Sequence, residues 1–498
     1  MNPVYIFKTT TISTFLLAQL FICTTHANKN NTKKPNVLFI CVDDLRPELG
    51  CYGANYIKSP NIDRLAGSGT VFTNHFVSIP TCGASRASIL TGMYPRTKQH
   101  LSNEACRTFI SGKPETEVPE TFIHHLKRNG YYTVGIGKIS HYVDGLLYGY
   151  EEPVGTELEL PHSWNEMLFD SGKWGTGWNA FFGYADGSNR QSMNKQVKPY
   201  ERAEVDDEGY PDGLIANLAV QKLKELGQKE KPFFLGVGFF KPHLPFNAPA
   251  KYWDLYDEGE IALTPSPNVP ENIHLASLHN SGEFNGYLAG EEHPSLDKPA
   301  SEAYQRKIRH AYFAAVSYVD AQIGKVLDEL EKSGLAENTI IVLWGDHGWH
   351  LGDHRVWGKH TIFEKALKSA LIMKVPGKSS GKQIDRVVSS VDIYPTLMEL
   401  CQVEMNFETD GKSMLPLLEN KISVNWEDAA WGYFNNGITL RTSRYRLTKY
   451  FREAQPVTEL YDHETDPFER VNIAGEQPAV VEQLLSVLKE KDFGIYKQ

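Results

Sequence analysis

Cysteine is scarce in this chain. Six thiols are spread over 498 residues, without the closely spaced pairs that hold zinc and without the spacing of a disulfide framework. A long apolar run is missing too. The stretch Ile12 to Cys23 falls short of the roughly 20 residues that cross a bilayer, so no stable membrane span is expected. There is no internal repeat and no low-complexity tract, which sets aside solenoid and fibrous architectures. Excess positive charge is also lacking. With 51 Lys and Arg against 61 Asp and Glu, the formal net charge is −10, which argues against nucleic acid as a partner. An anionic substrate is still allowed, because a local basic pocket can oppose the global sign.

What is present is an ordinary globular composition, 41% hydrophobic and 22% charged, at a length that suits one large domain and a smaller one. Lys8, the apolar run and the small residues of Thr25-His26-Ala27 read as an export signal over residues 1–27. A periplasmic or extracellular location is therefore expected. Cys23 invites a lipoprotein reading, but Ile22 before it is a poor fit to the small residue such processing prefers, so a surface-tethered form is the lesser alternative.

Asn36 to Val42 is a continuous apolar, β-branched run ending in Asp43-Asp44, the form of a central parallel strand whose tip carries function. Phe233 to Phe240, ending at Lys241-Pro242-His243, and Thr339 to Trp344, ending at Asp346-His347, repeat the pattern. A helix is expected from Ala303 to Ser333, with Tyr312, Val316, Val319, Ile323 and Val326 on one stripe. Strands alternating with helices predict an α/β sheet that binds ligands at its C-terminal strand ends. The expected division is a catalytic domain over 28–375 and a C-terminal subdomain over 376–498. In the latter, Val387 to Leu400 reads as a helix. Ala429–Phe434, Ile438–Thr442 and Arg446–Tyr450 read as strands of a small antiparallel sheet, joined by Asn435-Asn436-Gly437 and Ser443-Arg444 turns. A last helix is expected from Pro478 to Lys491. Residues 265–299, rich in Pro, Asn, Gly and Glu, read as a surface excursion near the site.

Several clusters could carry chemistry. Cys82 stands at the mouth of an expected helix with Arg86 one turn on, where free N–H groups and the dipole would hold an anion or an ionised group. A buried structural cysteine is the plain alternative. Asp43 and Asp44, with Asp346 and His347 at another strand end, offer three carboxylates and an imidazole to one cation, and oxygen donors favour calcium or magnesium. Lys138 and His141 share a turn, and Pro242 and Pro245 hold His243 in place. His350 and His354 are four apart, as helical zinc ligands can be, but Gly348 and Gly352 oppose a helix there. That leaves His350 a substrate-facing role or loop packing. Trp349 is placed to offer a sugar ring a flat apolar face.

The run Cys82-Gly83-Ala84-Ser85-Arg86 resembles the sulfatase signature Cys-x-Pro/Ala-x-Arg. With His347 and the Lys241-Pro242-His243 segment, the chain is most similar to the iduronate-2-sulfatase branch of the formylglycine-dependent sulfatases. The resemblance implies an alkaline-phosphatase-like α/β fold, with a large, mostly parallel mixed sheet flanked by helices and a smaller C-terminal domain with an antiparallel sheet. It implies that a maturase oxidises Cys82 to Cα-formylglycine, and Ala84 in place of the commoner proline suits a radical-type maturase. One calcium would be held by Asp43, Asp44, Asp346, His347 and the modified Cys82. The implied catalytic residues are Cys82, Arg86, Lys138, His141, His243 and Lys359, of which Lys138, His243 and Lys359 also bind sulfate.

The implied activity is hydrolysis of sulfate monoesters on a saccharide such as a 2-O-sulfated uronic acid. Arg96, Lys98 and Arg107 are basic candidates for reading the uronate carboxylate. Three alternatives stay open: a sulfatase of another polysaccharide such as an algal one, a phosphoester or phosphonate hydrolase of the same superfamily, and an unmatured saccharide-binding protein.

Overall fold

The computed structural model describes residue 1 and residues 33–110, 120–378, 381–419 and 425–497. Apart from Met1, the expected export signal lies outside the described residues. Eight strands form the large sheet: β1 (Asn36–Val42), β2 (Thr70–Phe76), β3 (Tyr132–Gly137), β4 (Glu166–Leu168), β5 (Phe233–Phe239), β6 (Thr339–Gly345), β7 (Leu371–Lys374) and β8 (Lys382–Ser389). Their order is β8-β2-β7-β6-β1-β5-β3-β4. All neighbours are parallel except β7, which runs antiparallel to β2 and to β6.

The helices used below are α1 (Cys82–Thr91), α2 (Pro211–Leu226), α3 (Gly282–Asn285), α4 (Glu302–Lys332), α5 (Ile393–Leu400) and α6 (Pro478–Leu488). Strand side chains alternate between faces, and both faces of β1 are covered. Leu38, Ile40 and Val42 enter the core shared with α2 and α4, while Val37, Phe39 and Cys41 enter the core shared with α1 and α5. Double coverage explains why these strands read as unbroken apolar runs.

The strand tips draw together at one edge. The Asp43 amide donates to the Phe239 carbonyl (3.3 Å), that of Lys138 to Gly238 (3.1 Å) and that of Asp346 to Val42 (3.2 Å). Gly137 permits the tight passage from β3 to Lys138. Its φ is +71°, and a Cβ there would stand 2.3 Å from the Gly238 carbonyl oxygen.

Four further strands, β9 (Ala429–Phe434), β10 (Gly437–Thr442), β11 (Tyr445–Tyr450) and β12 (Thr458–Asp462), make an antiparallel meander. Asn435 and Asn436 both take positive φ, at 49° and 55°, as a two-residue hairpin turn demands. Trp431, Tyr433, Leu440 and Leu460 of this sheet pack with Leu484 and Leu488 of α6.

Two expectations need correction. The large sheet does not end at residue 375, because β8 pairs along β2 from Lys382 to Ser389. The segment Val387 to Leu400 is therefore strand to Ser389 and helix from Ile393. Sheet pairing of the β-branched Val387-Val388 overrides the local helical reading.

Candidate active site

Cys82 opens α1, and Arg86 follows one turn later, as expected. Arg86 is fully buried against the carboxylates. Its Nε lies 3.1 Å and its Nη2 3.0 Å from Asp346 Oδ2, and Nη2 lies 3.6 Å from Asp43 Oδ1. Nη1 donates to the carbonyls of Lys138 (2.5 Å) and Ile139 (3.1 Å). The guanidinium thus sits beneath the site, where it neutralises two carboxylates and pins the turn that carries Lys138.

Asp43, Asp44, Asp346 and His347 are wholly buried. Asp44 takes a φ of 60°, unusual for a side-chain-bearing residue. It is held there because its amide donates to Asp346 Oδ1 (3.0 Å) and its carbonyl accepts from the Tyr312 hydroxyl on α4 (2.7 Å). His347 Nε2 lies 3.2 Å from Cys82 Sγ, and its Nδ1 lies 3.3 Å from Asp44 Oδ1. Asp43, Cys82, Asp346 and His347 each offer one ligand-type atom, all within 4.8 Å of one another, and Asp44 joins Cys82 and His243 in an overlapping group. Asp43 Oδ1 is buried with no hydrogen-bond partner. An orphaned carboxylate oxygen among mainly oxygen donors fits a hard divalent cation such as calcium.

Cationic and imidazole groups close over this cluster. Lys138 Nζ, at the tip of β3, pairs with Asp43 Oδ2. Against the cost of burial, Lys138, His243 and Arg86 hold the Asp43 carboxyl well below its usual range. Lys359 Nζ lies 3.0 Å from Asp44 Oδ1 and 3.4 Å from Cys82 Sγ. His141 is buried with Nδ1 unpartnered, and burial together with Lys138 keeps its pKa well below the ordinary value. His243 Nε2 lies 3.8 Å from Asp44 Oδ2. Its loop is stapled by Lys241, whose Nζ donates to the carbonyls of His243 (2.9 Å) and Pro245 (2.5 Å). Asp212 on α2 accepts the amides of Phe240 and Lys241, both at 2.8 Å.

Cys82 is buried beside Asp43, Lys138 and Lys359. Burial and Asp43 push its thiol up to about 12, against Lys138 and Lys359. Two substrate-facing expectations fail. Trp349 is fully buried, with Lys359 Nζ 5.2 Å from its ring centre and Phe246 set edge-on at 6.1 Å, so no face is open to a sugar. His350 is equally buried and its Nε2 meets Thr361 Oγ1 at 2.8 Å, which is loop packing. The basic candidates Arg96 and Arg107 are engaged with Asp410 (2.6 Å) and Glu104 (3.4 Å).

Three residues at the site escaped the sequence reading. Half-exposed Tyr150 rests on Trp178 (4.6 Å between ring centres) and Phe182 (5.4 Å), rings that also border His141 and His243. The Arg190 guanidinium lies 3.8 Å from the centre of the Phe182 ring. Glu283, from the 265–299 excursion, reaches His243 and Lys359. The placing of that excursion near the site was the one available signal.

The family profile described as Sulfatase matches residues 35–403, and one described as N-sulphoglucosamine sulphohydrolase, C-terminal, matches residues 352–493. Iduronate 2-sulfatase of Mus musculus is 33% identical over 432 residues, covering 77% of this chain and 72% of its own. A protein named sulfatase from Formosa agariphila is 31% identical over 484 residues, covering 91% and 86%. Among solved structures, the phosphonate monoester hydrolase of Agrobacterium radiobacter superposes with a TM-score of 0.72 at 24% identity, over 92% of this chain and 96% of that one, a likeness of fold. The matched span takes in the whole of the large sheet and every residue of the buried cluster at its edge; this chain belongs to the sulfatase family and is a sulfuric ester hydrolase.

Proposed function

We propose that this sulfatase is exported and removes sulfate from a saccharide bearing a 2-O-sulfated uronic acid, with Cys82 matured to Cα-formylglycine, by a radical-type enzyme, and one calcium held by Asp43, Asp44, Asp346 and His347. The carrying observation is the convergence of Lys138, His243 and Lys359 on Cys82 beside the carboxylate cluster, with His141 next to Lys138, in a chain 33% identical to iduronate 2-sulfatase.

A sulfate monoester repels a nucleophile until its oxygens are neutralised. Lys138 and Lys359 supply fixed positive charge at that point, in a buried setting that strengthens it. A divalent ion, when bound, adds Lewis acidity toward the sulfate and toward the group at position 82. Formylglycine supplies, as its hydrate, a nucleophile whose second hydroxyl lets sulfate depart without attack by water on sulfur. His141, neutral and with a free Nδ1, is suited to take a proton from position 82. His243 and Lys359, both beside position 82, are the groups suited to stabilise the departing sugar oxygen.

The carboxylate of the sugar also has a candidate partner. Arg190 is stacked between Phe182 and Tyr287, its Nε is buried without a hydrogen bond, and among the described residues no carboxylate pairs with it. A guanidinium without an acid partner in a chain of net charge −10 favours an anionic group of the substrate. Tyr150 gives the ring the exposed aromatic face that Trp349 lacks.

Hydrolysis by the matured enzyme of 2-O-sulfated uronate disaccharides, 6-O-sulfated glucosamine and phosphonate esters, read as release of sulfate from the first two and of the alcohol from the third, tests the reading. Preference for the first supports it, and turnover confined to the phosphonates would overturn it. Arg190→Ala should lower kcat/KM on the uronate sulfate by about 10- to 100-fold, the worth of one charge-assisted hydrogen bond, while leaving an uncharged aryl sulfate almost unaffected.

A further inference from the structure

Glu283 sits in α3, a single turn whose frame is tied down on several sides. Ser281, just before it, takes a φ of 55°, its amide donates to His279 Nδ1 (3.0 Å), and its Oγ accepts from the Trp357 amide (2.9 Å). Asn285 donates from Nδ2 to the carbonyls of Asn280 (3.1 Å) and Pro294 (2.9 Å). So anchored, the Glu283 carboxylate enters the site from outside the large sheet. Its Oε1 lies 3.2 Å from His243 Nε2 and 3.2 Å from Lys359 Nζ. One oxygen therefore meets two nitrogens that arrive from unrelated loops. His243 is held at its far end as well, since Nδ1 faces the Leu244 carbonyl at 2.6 Å, an oxygen that can only accept.

With Nδ1 so engaged, Nε2 can donate only when His243 carries a second proton, and the neighbouring Lys359 ammonium opposes that charge. A carboxylate shared between them offsets that opposition and fixes their directions together. We propose that Glu283 is a positioning residue for departure of the sugar oxygen, holding the heads of His243 and Lys359 convergent on it. The proposal rests on the sulfatase reading of the site and is independent of the uronate assignment.

The consequence depends on the leaving group. An alkyl or sugar oxygen departs with poorly stabilised negative charge and leans on these donors, whereas a nitrophenolate stabilises its own charge and needs them less. Glu283→Ala should lower kcat/KM about 100-fold on a sugar sulfate and less than about 5-fold on nitrophenyl sulfate. Glu283→Gln, which keeps an acceptor oxygen in the same place, should recover at least part of the loss on the sugar ester and guards against a fold defect in the alanine variant. Equal losses on both esters would mark a merely structural residue, and no loss on the sugar sulfate would show that the donors need no such tie; either result overturns the proposal. A crystal structure of the Glu283→Gln or Glu283→Ala protein decides the same point without turnover. Glu283→Ala should turn His243 or move Lys359 away from its present place, and unshifted side chains would refute the role even if wild-type enzyme cleaved neither ester, a failure that would instead strike the proposed function.

Discussion

Two clusters of buried charge, made from the same residue types, are finished differently in this molecule. Where the C-terminal meander meets the catalytic part, Glu364 Oε2 takes Arg441 Nε at 3.0 Å and Arg446 Nη2 at 2.5 Å. Glu469 takes Arg446 Nε at 2.6 Å, His463 Nε2 at 3.0 Å and the Glu364 amide at 2.7 Å. Glu364, His463 and Glu469 stand close enough to hold an ion, but two guanidiniums already sit on them. At the site, by contrast, Asp43 Oδ1 and His141 Nδ1 are buried and unpartnered. Buried charge closed by guanidinium is a fastening; buried charge left open awaits a ligand. The difference lies in where the arginines stop. Arg86 holds Asp346 Oδ2 at 3.0 Å but stands 3.6 Å from Asp43 Oδ1, too far for a hydrogen bond, whereas Arg446 spans both acids of its cluster.

The contrast can be broken most forcefully at Cys82. Cys82→Ala should reduce sulfate release at least about 10⁴-fold, to background, with thermal unfolding within about 2 °C of wild type. Retained turnover would remove the chemical meaning of the open cluster. Arg446→Ala should do the reverse. Stripping a guanidinium from two buried carboxylates costs about 3–5 kcal/mol, read as a lower denaturant midpoint, while the protein that stays folded keeps its kcat.

Calcium sharpens the comparison further. At a hundredfold excess over its dissociation constant it should stabilise metal-stripped wild type by about 2.7 kcal/mol. Asp43→Asn should abolish the gain and Arg446→Ala should keep it. A gain that survives Asp43→Asn would place the ion elsewhere.

Glu159 supplies the smallest test, as a buried carboxylate that pairs with no guanidinium among the described residues. It accepts the Tyr142 amide at 3.0 Å, just after the turn carrying Lys138 and His141, and burial pushes its pKa up to about 7 from an ordinary 4.5. The folded state then binds more protons than the unfolded one between those values, so the contribution is fullest below pH 4.5, falls as pH rises to about 7 and is level above. Glu159→Gln should remove that slope and raise stability at pH 8 by about 1–3 kcal/mol, measured as Tm against pH.

How much of the site could be read in advance follows from how local each signal is. Asp43, Asp44, Asp346 and His347 were legible because each pair ends a strand whose both faces are buried, and an unbroken apolar run is written in consecutive residues. The order β8-β2-β7-β6-β1-β5-β3-β4 and the antiparallel β7 were not legible, since pairing partners leave no local trace. Trp349 illustrates the opposite error. An aromatic beside catalytic residues looks available to a sugar, yet Lys359 and Phe246 arrive from elsewhere and cover it.

The sequence by itself determined the strand tips, the cysteine at a helix mouth with its arginine one turn on, and the family they mark, because each depends on neighbours within a few positions. Tertiary structure decided that Arg86 pairs with Asp346, that β8 belongs to the large sheet, and that Glu283 and Arg190 stand at the site. Those outcomes turn on the approach of segments far apart in the chain, where burial and charge pairing are settled by what packs opposite and not by what comes next.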